Sequence, residues 1–189
     1  MGTPQPLMKN VYEAASEGDW DLMKTAYNET RDKYMMSPIT VLEDTAFHLA
    51  VYSKKYEPLK SLLDNVKEKF ENPYTLKNVY GNTVLHEAVF AGNMEAVEHL
   101  LQPENDPPMQ LQTKNALGET PLYRAAACGK KEIVEYLAAT SGHIPGGKLS
   151  EDHRKRGDSK PILHAAIQGQ HFGFVLNLII SQMKLSRHL

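Results

Sequence analysis

The sequence predicts an all-α solenoid of about five helix–turn–helix units with long inter-unit loops, and three observations support this. First, a six-residue phrase recurs, most clearly at residues 83–88 (TVLHEA) and 120–125 (TPLYRA). Second, its fourth position falls at residues 12, 48, 86, 123 and 164, which puts successive copies 36 to 41 residues apart. Third, apolar residues after each phrase recur at helical spacing. Self-similarity at this period is typical of stacked repeats, which form an elongated surface rather than an enclosed pocket.

The first two units depart from the pattern in different ways. The first, near residues 7–36, keeps Ala14 and Gly18 but lacks the threonine and histidine of the phrase. An end unit faces solvent on one side, so such degeneration is expected of a cap. The second unit, near residues 43–70, has Lys54 where the other units have the turn glycine, and its second helix is longer and more polar.

The third and fourth units, near residues 78–102 and 115–139, follow the pattern best. In the third unit, Leu85 belongs to the apolar face of a first helix that ends at Gly92, because the chain there needs a left-handed backbone. Asn93 then caps the second helix. The apolar stripe of that helix consists of Ala96, Val97, Leu100 and Leu101.

The fifth unit, near residues 156–183, has Gly169 one position earlier than the turn glycine of the other units. The five units together predict a single repeat domain over residues 7–183. Residues 1–6 and 184–189 are expected to be tails.

The residues in excess of a plain repeat fall between units, at 71–73, 103–109 and 141–158. Proline and glycine in these inserts resist helix continuation, so the inserts are predicted to be loops. The insert at 141–158 is the most charged of the three and is expected to be the most mobile and the most accessible to proteases.

Composition excludes several classes of protein. With 41% hydrophobic and 23% charged residues, the chain is predicted to be globular, and its net charge of −2 gives no general attraction to nucleic acid or anionic lipid. A single cysteine, Cys128, excludes an internal disulfide and fits a reducing compartment. Residues 1–9 lack the apolar core of a secretory signal, and the longest apolar run, at 172–180, is far short of the ~20 residues that span a bilayer. These features predict a cytoplasmic chain that does not itself insert into a membrane.

The repeated phrase fits T-x-L-H-x-A, so residues 7–183 resemble the ankyrin-repeat family. The long inserts and residues 159–172 (SKPILHAAIQGQHF) resemble a narrower group, the cytosolic half of plant ankyrin proteins that carry a C-terminal membrane domain. Those proteins act in defence, cell-death and salt-stress signalling, and their membrane domain is absent from this sequence. The resemblance implies a non-enzymatic scaffold that binds a protein partner on its concave face. It also implies an alternative, a cytosolic regulatory domain that gates or localises a membrane protein at the cytosolic face of the plasma membrane.

In such a stack, the turn tips and the solvent side of the inner helices are not needed for packing. Apolar residues at those positions are candidates for partner binding, because aromatic anchors typically dominate interfaces. The alternative for each of them is packing against a neighbouring loop. The predicted protein-binding residues are Val41, Leu42, Tyr52, Val79, Tyr80, Asn82, Phe90, Leu117 and Glu119.

No cofactor, metal, nucleotide or nucleic-acid site is predicted. His48, His86 and His164 occupy one slot of stacked units ~10 Å apart, too far for one zinc ion with ligands at ~2 Å, and the resemblance implies that their rings bond loop backbone between units. Residues 142–148 look like part of a phosphate loop, but the next residue is Leu149, where a phosphate loop needs serine or threonine. The basic run at 153–156 is flanked by acidic residues, and Cys128 is interpreted as a small filler rather than a nucleophile.

Overall fold

The computed structural model describes residues 6–29, 36–53, 55, 57–66, 73–142 and 155–168. Within these ranges the regular structure is helical, with extended pairing limited to two isolated bridges, and the all-α prediction is confirmed. The α-helices are, in chain order, α1 (Pro6–Glu17), α2 (Trp20–Glu29), α3 (Ala46–Ala50), α4 (Glu57–Val66), α5 (Val84–Ala91), α6 (Met94–Leu100), α7 (Pro107–Gln112), α8 (Pro121–Ala127), α9 (Lys131–Gly142) and α10 (Ile162–Gln168).

The helices form two layers. The inner layer stacks the first helix of each unit in the order α1, α3, α5, α8, α10, and the outer layer packs α2 against α4 and α6 against α9. Side chains from both layers meet in one continuous core, in which Leu85, Leu100, Leu122 and Leu137 are completely or almost completely buried. Each unit therefore buries its apolar faces only with the help of its neighbours.

The third unit shows why each helix begins and ends where it does. The hydroxyl of Thr83 accepts a hydrogen bond from His86 N–H and caps α5, which ends at Gly92 with a left-handed φ of 78°. Asn93 then caps α6 by accepting from Ala96 N–H at 3.0 Å. The sequence predictions for Gly92 and Asn93 are confirmed.

Each inner helix from the second unit onward follows a tight turn, here called its tip: residues 39–44, 77–82, 114–119 and 155–160. One backbone hydrogen bond joins each tip to the tip before it. These bonds run from Val79 N–H to Leu42 O (2.8 Å), from Ala116 N–H to Tyr80 O (2.9 Å) and from Gly157 N–H to Leu117 O (3.1 Å). The tips thus form a ladder along one edge of the stack.

The structure corrects the prediction that the insert at 103–109 is a loop. It contains a 3₁₀ turn at Pro103–Asn105 and the start of α7, which packs against α8 and α9. Proline opens both elements, since the first helical position needs no N–H donor. Gln110 is buried and donates to Leu100 O at 2.7 Å, which ties the insert to the core. Lys54, Gly169 and residues 143–154 of the charged insert lie outside the described residues.

Glu43 is the tip residue whose replacement we expect to stabilise the protein. It has a left-handed φ of 61° at the turn position where the next two tips have Gly81 and Gly118. A side chain strains this conformation, so Glu43→Gly should raise the free energy of unfolding by about 0.5–1 kcal/mol in urea titration. Leu42→Gly is the control, and it should not stabilise because φ at residue 42 is not positive. A Glu43→Gly protein no more stable than the wild type would contradict the strain argument.

Candidate functional site

The first three tip turns are each fixed by the side chain of their second residue. Asn78 Oδ1 accepts hydrogen bonds from Tyr80 N–H and Asn82 N–H, both at 3.1 Å. Asn115 makes the same pair of bonds in the fourth unit, and the hydroxyl of Thr40 makes it in the second. Such side-chain-to-backbone bonds hold a turn in one conformation, so that the tip residues are presented in fixed positions.

Behind the tips, the carboxylate of Glu87 on α5 is buried and fully engaged. Its Oε1 accepts from Asn82 Nδ2 at 2.7 Å and from Asn78 Nδ2 at 3.1 Å, and its Oε2 accepts from Tyr52 Oη at 2.5 Å. Asn78 Nδ2 also donates to Asp44 Oδ1 of the previous tip at 2.9 Å. A buried carboxylate needs such partners, and here they link the second unit to the third.

Glu119 has the equivalent role one unit further along. It accepts from Asn115 Nδ2 at 3.1 Å, and the guanidinium groups of Arg124 and Arg156 lie 3.4 Å and 3.6 Å from its oxygens. Asn115 Nδ2 also donates to Asn82 Oδ1 at 2.9 Å, which joins the two buried clusters. The polar network therefore runs through the tips of four successive units.

Three side chains form an aromatic patch beside this network: Tyr52 from the turn after α3, Phe90 from α5 and Arg124 from α8. The rings of Tyr52 and Phe90 meet edge to face with centroids 6.5 Å apart, and the guanidinium carbon of Arg124 lies 4.9 Å from the centroid of Phe90. Both rings remain nearly half exposed, at 47% and 45%. Burial and the hydrogen bond to Glu87 raise the pKa of Tyr52 above its ordinary value, so its hydroxyl stays protonated as a donor.

Seven of the nine predicted binding residues fall into two groups that can be reached from solvent. Tyr52 and Phe90 belong to the aromatic patch. The apolar residues of the tips are exposed, and they are Val41, Leu42, Val79, Tyr80 and Leu117. The tip ladder places this second group along one edge, next to the patch.

The structure corrects the prediction that Asn82 and Glu119 are exposed for partner binding. Only 3% of Asn82 and 6% of Glu119 is exposed, and both side chains are used in the buried network. A partner cannot contact them without breaking that network. Their contribution is to hold the tips in place.

Sequence reasoning missed Arg124 and Glu87 as parts of the site. They occupy the same repeat position, directly after the histidine slot, in consecutive units. Aligning the units shows opposite charges at this one repeat position of the inner helices, and that signal could have found them. That this position reaches Phe90 and Tyr52 depends on the three-dimensional register of the stack.

The histidine slot is structural at His86 and His48, as the resemblance implied, whereas His164, for which the same role was expected, is exposed. Thr83 N–H lies 3.3 Å from His86 Nδ1, so Nδ1 must accept and the ring proton sits on Nε2, which donates to Glu119 O at 3.0 Å. His48 repeats this with Nε2 bonded to Asn82 O at 3.1 Å. Burial, the largest cause, lowers the pKa of His86 to about 4 and also lowers that of His48. Both rings are therefore neutral at pH 7.

Other sequence candidates show no reactive chemistry in the described part of the chain. Burial raises the pKa of Cys128, which opposes the thiolate that a nucleophile needs. Across residues 6–142 and 155–168, apart from the undescribed gaps, no three His, Cys, Asp or Glu side chains come together as metal ligands. The phosphate-loop-like segment after Gly142 and most of the basic run at 153–156 lie outside the described residues.

Comparison with known proteins agrees with this architecture. A family model described as ankyrin repeats (3 copies) matches residues 11–110, and one described as ankyrin repeat matches residues 117–144. No curated protein of similar sequence was found. Among the described helices, none is long and apolar enough to cross a membrane. The stacked inner helices, the tip ladder and the matched models together show that this chain belongs to the ankyrin-repeat family.

Proposed function

We propose that this chain is a non-enzymatic interaction module that binds a segment of a protein partner on its groove face, defined as the tips together with the exposed side of the inner helices. Ankyrin repeats generally mediate protein–protein interactions. The observation that carries the proposal for this chain is the aromatic patch. Tyrosine, tryptophan and arginine are the residues most enriched at interface hot spots, and here Tyr52 and Arg124 flank an exposed phenylalanine.

The patch is ordered before any partner arrives. Tyr52 is anchored to the buried Glu87, and Arg124 lies against both Phe90 and Glu119. Ordering side chains on binding costs about 0.5–1.5 kcal/mol each, and a pre-ordered patch avoids most of that cost. The exposed tip residues extend the same surface with apolar area worth about 25 cal/mol per Å² when buried.

The residues that could suggest catalysis are used structurally. Glu87 and Glu119 are buried hydrogen-bond acceptors, and His48 and His86 join neighbouring units. The groove face is therefore proposed to recognise a partner without transforming it.

Phe90→Ala should weaken partner binding at least about tenfold, equivalent to 1.4 kcal/mol, and adding Tyr80→Ala should weaken it further. Peptides selected from a displayed random library on the wild-type chain would be titrated against each variant. Leu22→Ala is the matched control, because Leu22 is equally exposed but lies on α2 in the outer layer. Retained helical circular dichroism would show that the fold is intact. Equal binding by the wild type and the double variant would contradict the proposal.

The resemblance of residues 159–172 to plant ankyrin proteins supports stress or defence signalling as the pathway. The proposed location is the cytoplasm, and the cytosolic face of the plasma membrane if the full-length protein carries a membrane domain. A fluorescent fusion expressed in plant cells should label the cytosol and the cell periphery. Labelling confined to another compartment would argue against this location.

A further inference from the structure

We propose that the amino-terminal end of the groove face is a receptor pocket for an arginine side chain of the partner. This rests on the proposed function, since it names the chemistry that one part of the groove face recognises. The pocket lies between the first and second units and overlaps the aromatic patch only at Tyr52.

The pocket has ample room for a side chain and an aromatic lining. Its volume is about 570 Å³, and three aromatic side chains contribute to its wall: Tyr12 from α1, Trp20 from α2 and Tyr52 after α3. Tyr12 and Tyr52 are about half exposed and Trp20 is partly buried, so all three are reachable from solvent. The negative faces of aromatic rings attract cations, and arginine is the cation found most often in such contacts.

The charge among the described lining residues favours a cation. Glu17 is the only charged residue among those described in the lining, and it is exposed. It is also the last residue of the 12-residue helix α1, whose carboxyl end carries partial negative charge. The opposing amino end of α2 is neutralised, since Asp19 accepts from Leu22 N–H at 3.0 Å.

Tyr52 is held in place beside the pocket by a buried carboxylate. Its hydroxyl is committed to Glu87 at 2.5 Å, and burial, that hydrogen bond and the charges of Glu87 and Asp44 together raise its pKa. The same groove already holds one guanidinium on an aromatic ring, because Arg124 lies 4.9 Å from the centroid of Phe90. An incoming arginine would repeat that contact one unit earlier.

Arginine fits these features better than lysine. Its guanidinium is planar and weakly hydrated, so it stacks on rings and donates two parallel hydrogen bonds to one carboxylate. Glu17 supplies the carboxylate at the rim, and the three aromatic residues supply the stacking surface.

The test uses Trp20, the only tryptophan in the sequence, as a reporter inside the pocket. The chain would be titrated with the capped tripeptide Gly-Arg-Gly while Trp20 fluorescence is followed. Saturable change is expected with the arginine peptide. Binding should be about tenfold weaker when citrulline, the neutral isostere, replaces arginine, and measurably weaker with lysine.

Glu17→Gln should weaken arginine binding severalfold, and Glu132→Gln, at an equally exposed site on α9, should not. The receptor-pocket proposal would be overturned if the arginine peptide gave no saturable change, or if a citrulline or glutamate peptide bound equally well. It would also be overturned if Glu17→Gln left the affinity for the arginine peptide unchanged. Equal binding of lysine would overturn its assignment to arginine. The proposed function fails separately, since library peptides that depend on Phe90 would still be recovered if only this pocket were wrong.

Discussion

Replacing Gly81 with alanine should lower the free energy of unfolding by about 3 kcal/mol or more. Gly81 has a left-handed φ of 70°, and a Cβ atom there would lie 2.6 Å from the backbone nitrogen of Ala116. That nitrogen belongs to the next tip and donates to Tyr80 O at 2.9 Å. Because backbone cannot rotate away as a side chain can, the substitution must force two tips apart.

Gly18→Ala separates the clash from the backbone strain. Gly18 has φ of 75°, and a Cβ atom there would meet no other atom within 4 Å. Its substitution should lower the free energy of unfolding only by the strain of a side chain in the left-handed conformation, about 1–2 kcal/mol. Urea unfolding of both variants measures the difference, and equal losses would show that the tips have room to separate.

Acidification should destabilise the protein steeply between pH 6.5 and pH 4. The pKa of His86 is lowered from 6.5 to about 4 by burial, and that of His48 is lowered as well. Between those pH values the unfolded chain binds protons that the folded chain does not bind. The free energy of unfolding therefore falls as the pH falls, and it is fully retained above pH 6.5. His86 alone should remove about 2 kcal/mol between pH 7 and pH 5, and about 3 kcal/mol by pH 4.

Urea midpoints measured at pH 7, 6 and 5 test this before most carboxylates titrate. Leu22→Ala is the control, because Leu22 is exposed and carries no titratable group, and the slope of this variant with pH should match that of the wild type. His48→Gln should flatten the slope even if it lowers stability at pH 7. A wild-type midpoint that does not change from pH 7 to pH 5 would mean that the buried rings accept protons without cost.

The local pattern of one unit could be predicted from sequence because it depends on neighbours in the chain. Gly92 and Asn93 were placed correctly, since a left-handed C-cap and an N-cap are demanded by the backbone of a helix–turn–helix. The role of His86 followed from the resemblance. The fold class required only the period and the apolar stripes.

What the sequence did not predict depends on how the turns fold and on contacts between units. Asn82 was assigned to the surface although its side chain turns inward to Glu87, a residue of the next helix that only the folded turn brings near. Arg124 was missed because its contact with Phe90 crosses from one unit to another. Residues 103–109 were predicted as a loop from their prolines, which open a helix as readily as they end one.

The tip ladder also determines where this chain tolerates changes in length. Thr40, Asn78, Asn115 and Arg156 each stand 8 residues before the histidine slot, although the full repeat varies from 36 to 41 residues. A residue added between a tip and its inner helix would shift the backbone bonds of both neighbouring tips. Residues added after the outer helix disturb no such bond, and α7 lies in that return segment. Natural variants and engineered grafts should therefore differ in the length of the segment after the outer helix. The spacing between each tip and its inner helix should stay constant.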